Sequence, residues 1–357
     1  MKGRVLVAGF STRHVAQSAA RAGYEVCAVD HFCDQDLFWC TCDRLKFDEL
    51  DELPETINRM CRNYSFDFAI ATSGAEEIEF PVPVYGTPRE KIGQFLDKEK
   101  TQSFFENLGV PLPALASPGE YPVMAKPARG AGGWRNAVID SETREQAWAA
   151  EYPGVPYIRQ KVVSGIPASV CCVCDGKHAR AVATNEQILR GSGASAFGFA
   201  GSVTPFSHPL SDRMREIAET IAAASGCVGT IGIDFVVSDT TPYAIEINPR
   251  FQGTVDTVEL ATGASLFDLH VNACKGNLSA VRQADLFAAR RIIFADRDMT
   301  VSADLKKCAP MVSDIPWPGA FFEEDQAIVS VSGTGATRAE ALKVLDKNIS
   351  SVRQYIC

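Results

Sequence analysis

Asp234, Glu246 and Asn248 are the side chains around which this sequence can build chemistry. They sit in two apolar stretches, Ile231 to Val237 and Ala244 to Phe251, joined by the polar turn Ser238-Asp239-Thr240-Thr241-Pro242. Side chains alternate across a strand, so Glu246 and Asn248 share one face and Ile245 and Ile247 take the other. A hairpin closing at the turn brings Asp234 beside Glu246. Two carboxylates and a carboxamide on one face form an oxygen-rich cage. Such a cage suits Mg2+, which prefers hard oxygen ligands and keeps waters or phosphates in the rest of its shell. Arg250, two residues beyond Asn248, can hold a phosphoryl oxygen or a developing anion.

A second signal lies upstream. Tyr121-Pro-Val-Met-Ala-Lys126-Pro127 is an apolar strand interrupted by one lysine, and Ala128-Arg-Gly130-Ala-Gly132-Gly133-Trp134 follows directly. A lysine inside a strand is costly to bury without an anion beside it. A glycine-rich turn can wrap backbone N–H groups around phosphate oxygens. The order excludes a Walker A loop, because the lysine precedes the glycines and no Lys-Ser/Thr opens a helix after them.

Lysine, glycine loop, acidic hairpin and Glu246-Ile-Asn248-Pro-Arg250, in this order, resemble the ATP-grasp superfamily. Within it the chain is similar to the archaeal-type predicted carboligases related to biotin carboxylase. The resemblance implies roles for individual residues. Lys98, in Asp97-Lys98-Glu-Lys100, and Lys126 would contact ATP phosphates, with Gly130, Gly132 and Gly133 in a mobile lid. Tyr157 to Gly165 would be the hinge strand receiving adenine through Gln160, Lys161 and Val163. Gln160 stands where the family usually has Glu, and a glutamine carbonyl can still accept from the adenine amino group. Pro167 falls near the position of a ribose-binding Glu in many members, a departure that removes that contact. Asp234, Glu246 and Asn248 would hold Mg2+, with Mn2+ an admissible substitute, and Arg250 and Lys126 would be the catalytic pair. The implied reaction is activation of a small-molecule carboxylate by ATP as an acyl phosphate, followed by attack of an amine or another nucleophile. Activation of bicarbonate, as in biotin carboxylase, is the alternative within the family. A nucleotide-binding regulatory protein without turnover is the alternative outside it. A homodimer is admissible.

The elements that must position these residues are legible from patterning. Arg4 to Ala8, a Gly9-to-His14 turn, a helix ending at Gly23 and Tyr24 to Asp30 read as a βαβ unit on a parallel sheet. The turn lacks G-x-G-x-x-G, which argues against NAD. Ligands of open α/β sheets sit outside the strand C-termini. Arg13, Asp30 and Glu76 are therefore candidates for the acceptor substrate, together with Arg190, which opens the small-residue segment 191–201 expected to close over the site. One helix is expected to carry Asp97 and Lys98. Further helices are expected over Ser211 to Ser225, Thr254 to Thr262, Ser265 to Lys275 and Thr337 to Leu345. The expected organisation is α/β and α+β. A Rossmann-like parallel-sheet domain (1–88) precedes a two-part ATP-grasp module (89–288, divided into 89–164 and 165–288). A small strand-rich C-terminal domain (289–357) follows it.

Composition bounds the partners. At 357 residues with 46% hydrophobic and 22% charged residues, the chain is globular and long enough for two or three domains. A net charge of −9 argues against a nucleic-acid binder. No apolar run is long enough for a membrane span, and the opening Met1-Lys-Gly-Arg-Val-Leu-Val reads as a strand, not a signal peptide, so a cytoplasmic location is expected. The twelve cysteines lack paired zinc spacing and read as reduced, small hydrophobes.

Overall fold

A computed structural model describes residues 2–130, 132–191 and 195–356. The protein is an α/β and α+β structure whose strands, among the described residues, assort into four sheets.

The N-terminal sheet comprises β1 (Arg4–Gly9), β2 (Glu25–Asp30), β3 (Asp43–Lys46) and β4 (Phe68–Ala71), in the order β3-β2-β1-β4. All of its pairings are parallel. Helices α1 (Arg13–Arg21), α2 (Gln35–Phe38) and α3 (Leu53–Asn63) connect the strands. Val5 and Val7 face one apolar cluster with Val15 and Ala19 of α1, while Leu6 and Ala8 face another with Leu53 and Ile57 of α3. The sheet is thus covered on both faces, as the nearly continuous apolar run of β1 requires.

Pro88 then leads into α4 (Arg89–Phe95), with a separate α5 (Lys98–Leu108) behind it. The single helix expected across Asp97 is interrupted because Asp97 is the N-cap of α5, its side chain accepting from Glu99 N and Lys100 N. A capping aspartate satisfies N–H groups that a new helix leaves open. Beyond it, β5 (Val123–Pro127), β6 (Ala137–Ile139) and β7 (Tyr157–Lys161) form an antiparallel sheet in the order β6-β5-β7, backed by α6 (Glu142–Glu151).

The largest sheet gathers β8 (Ile166–Asp175), β9 (Ala179–Leu189), β10 (Phe199–Thr204), β11 (Val228–Val237), β12 (Pro242–Asn248) and β13 (Phe287–Phe294). The two-stranded β14 (Met299–Val301) and β16 (Ala320–Phe322) pair separately, while β15 (Val312–Ser313) and β17 (Ala327–Gly335) join the large sheet. Its order is β12-β11-β8-β9-β10-β13-β17-β15. The expected boundary between residues 288 and 289 falls inside β13, which pairs with β10 on one side and β17 on the other. The C-terminal strands extend the same sheet.

Helix α7 (Ser211–Ser225) packs on one face through Met214, Ile217 and Ile221 and stops at the left-handed Gly226. Helices α8 (Val255–Thr262) and α9 (Leu266–Cys274) pack toward the N-terminal domain. The last helix, α10 (Arg338–Ile356), runs well past Leu345 because Val352 and Ile356 continue its buried stripe. Among the described residues no helix is long and apolar enough to cross a membrane. The cysteines among the described residues are free, and Cys171, Cys172 and Cys174 are buried in β8.

Candidate active site

The hairpin β11–β12 pairs Asp234 directly with Glu246. The register then shifts between Asp234 and Phe235, whose partner is Ala244, so Ile245 is the extra residue of a bulge. Strict alternation would have sent Ile245 inward with Ile247. The bulge turns it out, and Ile245, Glu246 and Asn248 all line one cleft while Ile247 stays in the core.

That cleft, about 340 Å3, lies between the β5–β7 sheet and the large sheet and collects most of the residues singled out in the sequence. Lys126, Gly132, Gly133, Val163, Asp234, Glu246, Asn248 and Arg250 all border it. Lys98 reaches it from the first turn of α5, with Nζ donating to Gly130 O at 2.7 Å and lying 4.0 Å from Glu246 Oε1. Gly132 and Gly133 both have φ of +70°, where a side chain is strained. A Cβ at Gly133 would overlap the backbone carbonyl of Phe197, so this glycine permits the loop to seat on the segment before β10. Ala131 lies outside the described residues, as do 192–194 of the segment expected to close over the site; Phe197 and Phe199, from that segment's described end, line the cleft.

One end of the cleft is apolar. Met124, Pro167, Leu189, Val236 and Ile245 wall it, with Pro167 opposite Val236 across the sheet. Gln160 is buried on β7 opposite Met124, donating through Nε2 to Gln102 Oε1 at 2.7 Å. Its Oε1 is buried and has no partner among the described residues, an arrangement that leaves an acceptor for an incoming N–H. Lys161 behaves differently from its neighbours. Its backbone N–H donates to Ala114 O at 2.8 Å and its exposed side chain turns to Glu120.

Electrostatically the cleft is incomplete by itself. Burial lowers the Lys126 pKa to about 8, with Lys98 acting in the same direction against the pull of Glu246. Burial and the neighbouring Glu246 push the Asp234 carboxyl up to about 7. Burial disfavours the charged forms of both Lys126 and Asp234 despite the opposite charges near them, a condition that a metal–polyphosphate complex would relieve. Asp234 accepts from Gln187 Nε2 and Asn248 Nδ2, each at 2.9 Å, and from Gln252 Nε2 at 3.3 Å. Asn248 Oδ1 accepts from Arg250 Nη2 at 3.2 Å and keeps a second lone pair. A set of two carboxylates and one carboxamide oxygen fits a hard divalent cation.

The substrate candidates separate. Glu76 meets Arg250, accepting from its Nε at 2.7 Å, and so belongs beside the cleft. Arg13 does not. It is buried, donates to Asp256 at 2.8 and 2.7 Å and to Asp314 at 2.9 Å, and borders a different cavity of about 570 Å3. Asp30 is buried and accepts from Thr12 N and Oγ1, Phe32 N and Cys33 N, which ties the β1–α1 turn to the loop after β2. Arg190 pairs with the Asp325 carboxylate and lies 4.0 Å from the Phe294 ring centroid, again away from the cleft.

Sequence reasoning missed Gln187 and Gln252, the two amides that hold Asp234. Gln187 is two positions beyond Asn185 on β9, so strand alternation was its available signal. Gln252 has a different one: Gly232 on β11 is the only residue type that leaves it room, since a Cβ there would collide with the Gln252 amide.

Comparison with known proteins bears on the family and the fold. Residues 95–254 match the family model of the ATP-grasp domain. An uncharacterized protein of Methanocaldococcus jannaschii is 26% identical over 359 residues, covering 92% of this chain and 87% of the relative. The carbamoyl phosphate synthase large chain of Lachnoclostridium phytofermentans is 24% identical over 322 residues, covering 79% of this chain but only 30% of that much longer protein. Among solved structures, the biotin carboxylase domain of the Hydrogenobacter thermophilus 2-oxoglutarate carboxylase, crystallised with MgADP and bicarbonate, superimposes with a TM-score of 0.78. It is 14% identical, and the match covers 98% of this chain and 89% of that one, so the likeness is one of fold.

Proposed function

We propose that this chain, an ATP-grasp protein, is an ADP-forming ligase that activates a small-molecule carboxylate as an acyl phosphate and passes the acyl group to an amine or similar nucleophile. The observation that carries the reading is the single cleft in which Lys126, Asp234, Glu246 and Arg250 meet with unbalanced buried charge. In the first step a carboxylate oxygen attacks the γ-phosphorus of ATP. The bond from that phosphorus to the β–γ bridging oxygen breaks, and ADP leaves with the electron pair. In the second, the amine attacks the acyl carbon, the carbon–oxygen bond to phosphate breaks, and the amine proton passes to solvent.

The chain's own groups divide this work. Lys126 and Lys98, with the loop at Gly130, Gly132 and Gly133, hold and neutralise phosphates. Gln160 Oε1, without a partner among the described residues, would accept from an adenine amino group, and Val163, Pro167 and Ile245 offer an apolar bed for the base, while the Lys161 side chain turns away to Glu120. Asp234, Glu246 and Asn248 would hold Mg2+, or Mn2+ with the same oxygen preference, and the ion when bound supplies Lewis-acid neutralisation of phosphate charge. Arg250, fixed by Glu76, faces the transferring group and the acyl-phosphate oxygen. The free cysteines support a reducing, cytoplasmic setting. Bicarbonate activation would use the same side chains and differs in the acid alone.

The test is ADP release from Mg–ATP across carboxylic acids crossed with amines, repeated for Lys126→Ala and Glu246→Ala. Both variants should retain the far-ultraviolet circular dichroism of the parent and lose turnover by at least a hundredfold, about 3 kcal/mol of transition-state stabilisation. Full rate in either folded variant refutes the assignment.

A further inference from the structure

Arg250 is a wall common to two cavities. One is the nucleotide cleft; the other, about 220 Å3, lies on the side of the N-terminal domain. Its lining is largely apolar, including Ala71, Ile78, Phe80, Val84, Ile92 and Phe251, with Glu76 next to Arg250. The segment between β4 and α4 therefore builds most of a small apolar chamber whose charged end is the residue that also faces the phosphates.

A guanidinium carries five N–H groups. In Arg250, Nε donates to Glu76 Oε1 at 2.7 Å, Nη1 to Phe251 O at 3.1 Å and Nη2 to Asn248 Oδ1 at 3.2 Å. One N–H on each terminal nitrogen has no acceptor among the described residues. These two are the donors from which a guanidinium grips a carboxylate. Glu76 places a fixed negative charge at the same point, and Arg89, the other guanidinium on the lining, is exposed and faces Glu79 at 3.5 Å, so a second carboxylate inside the chamber would meet repulsion at Glu76.

We propose that the smaller cavity receives the body of the acid substrate, and that this substrate is a compact monocarboxylic acid with an apolar, branched or ring-shaped body. The inference rests on the acyl-phosphate reading above and adds the class of acid. The carboxylate docks on the two unspent N–H groups of Arg250, facing the γ-phosphate, and the apolar body fills the chamber walled by Phe80, Val84 and Ile92. Bicarbonate has nothing to place there, and a dicarboxylate presents the wrong charge to Glu76.

The experiment uses the full chain with Mg–ATP and hydroxylamine, whose nitrogen displaces phosphate from an acyl phosphate to give a hydroxamate; ADP is measured in parallel. Acetate, propionate, isobutyrate, isovalerate and benzoate are compared with malonate, succinate and bicarbonate. The expected result is kcat/KM rising about tenfold per methylene until the chamber is full, with the dicarboxylates at least tenfold below monocarboxylates of equal length. Val84→Trp, at the exposed rim of the chamber, should abolish the gain of isovalerate over acetate, read as the ratio of their kcat/KM values. Phe80→Ala should move the optimum to a larger acid. Equal rates along the monocarboxylate series, a preference for dicarboxylates or bicarbonate, or a Val84→Trp profile identical to the parent would each overturn the proposal. Failure of the underlying reading looks different: no acid of any class would then release ADP.

Discussion

His270 offers a stability test whose magnitude follows from the structure. It sits on α9, about 2% exposed, with its ring stacked on Phe251 at 4.6 Å. Nδ1 accepts from the Thr230 backbone N–H at 2.8 Å, and Nε2 therefore carries the proton it donates to Tyr85 O at 3.0 Å. The neutral ring thus joins the segment before α4 to β11. A second proton would have to sit on Nδ1, facing a backbone donor in a dry site. Burial accordingly lowers the His270 pKa to about 4 from an ordinary 6.5. Above pH 6.5 the ring is neutral in folded and unfolded chains and the shift has no effect. As pH falls below 6.5 the unfolded chain takes up the proton first, so stability is lost progressively down to the folded pKa. The loss attributable to this ring is about 2 kcal/mol at pH 5 and about 3 kcal/mol at pH 4. Asp256 and Asp314, whose burial is more than offset by Arg13 and its neighbours, titrate below this window. His14 is also pushed down to about 4, by burial and by Arg13, so a single pH series would mix two rings. Comparison with His270→Gln removes the ambiguity. Urea unfolding at pH 7 and pH 5 should show the parent losing about 2 kcal/mol more than the variant. Parallel losses in the two proteins would refute the assignment of tautomer and burial.

Two further outcomes separate binding from architecture. Gly133→Ala forces a side chain into a φ of +70° and against the Phe197 carbonyl, so the loop can no longer seat over the cleft. The KM for ATP should rise at least tenfold while the unfolding free energy from urea titration falls by less than about 2 kcal/mol, and an unchanged KM would count against the loop as a phosphate cradle. Arg13→Ala should do the reverse. Removing the guanidinium leaves Asp36, Asp256 and Asp314 buried without their common partner, at a cost of about 3–5 kcal/mol in unfolding free energy. Where the variant still folds, the KM for ATP should stay within about threefold of the parent; a rise of about tenfold in it would place Arg13 at the nucleotide site.

The chemistry of the cleft was legible in the sequence because it demands particular residue types at particular offsets. A strand lysine followed by glycines and an acid–acid–amide hairpin have few other uses, and their placement needs strand geometry and little else. What escaped was decided by distant partners. Arg13 beside a helix N-terminus reads locally as an anion seat, but its acceptors Asp256 and Asp314 are 243 and 301 residues away. Arg190 likewise opens a glycine-rich segment, yet its carboxylate comes from Asp325, 135 positions on. The bulge at Ile245 depends on how β12 meets β11, since no proline or glycine flanks Ile245 to announce it. The same limit hid the continuity of the large sheet. A patterned strand such as Phe287–Phe294 reveals that it pairs, but not with which neighbours.

These distant partners nevertheless bear on the reaction. Glu246, Asn248, Arg250 and Gln252 lie on one short segment that leaves β12 and runs into α8. Its upstream end is fixed by pairing to β11, and its downstream end by Asp256 in the first turn of α8. Asp256 is held by Arg13 from the N-terminal domain and by Arg290 from β13, at 3.5 Å, and Arg290 also reaches Ser330 on β17. Glu76 holds the Arg250 side chain at 2.7 Å, while this ion network fixes the start of α8, into which the same segment runs. The proposed reaction, which places this guanidinium between a phosphate and an acid, would gain from such anchoring. The buried cluster at Arg13, remote from the cleft, thereby acts on the active-site segment through the first turn of α8.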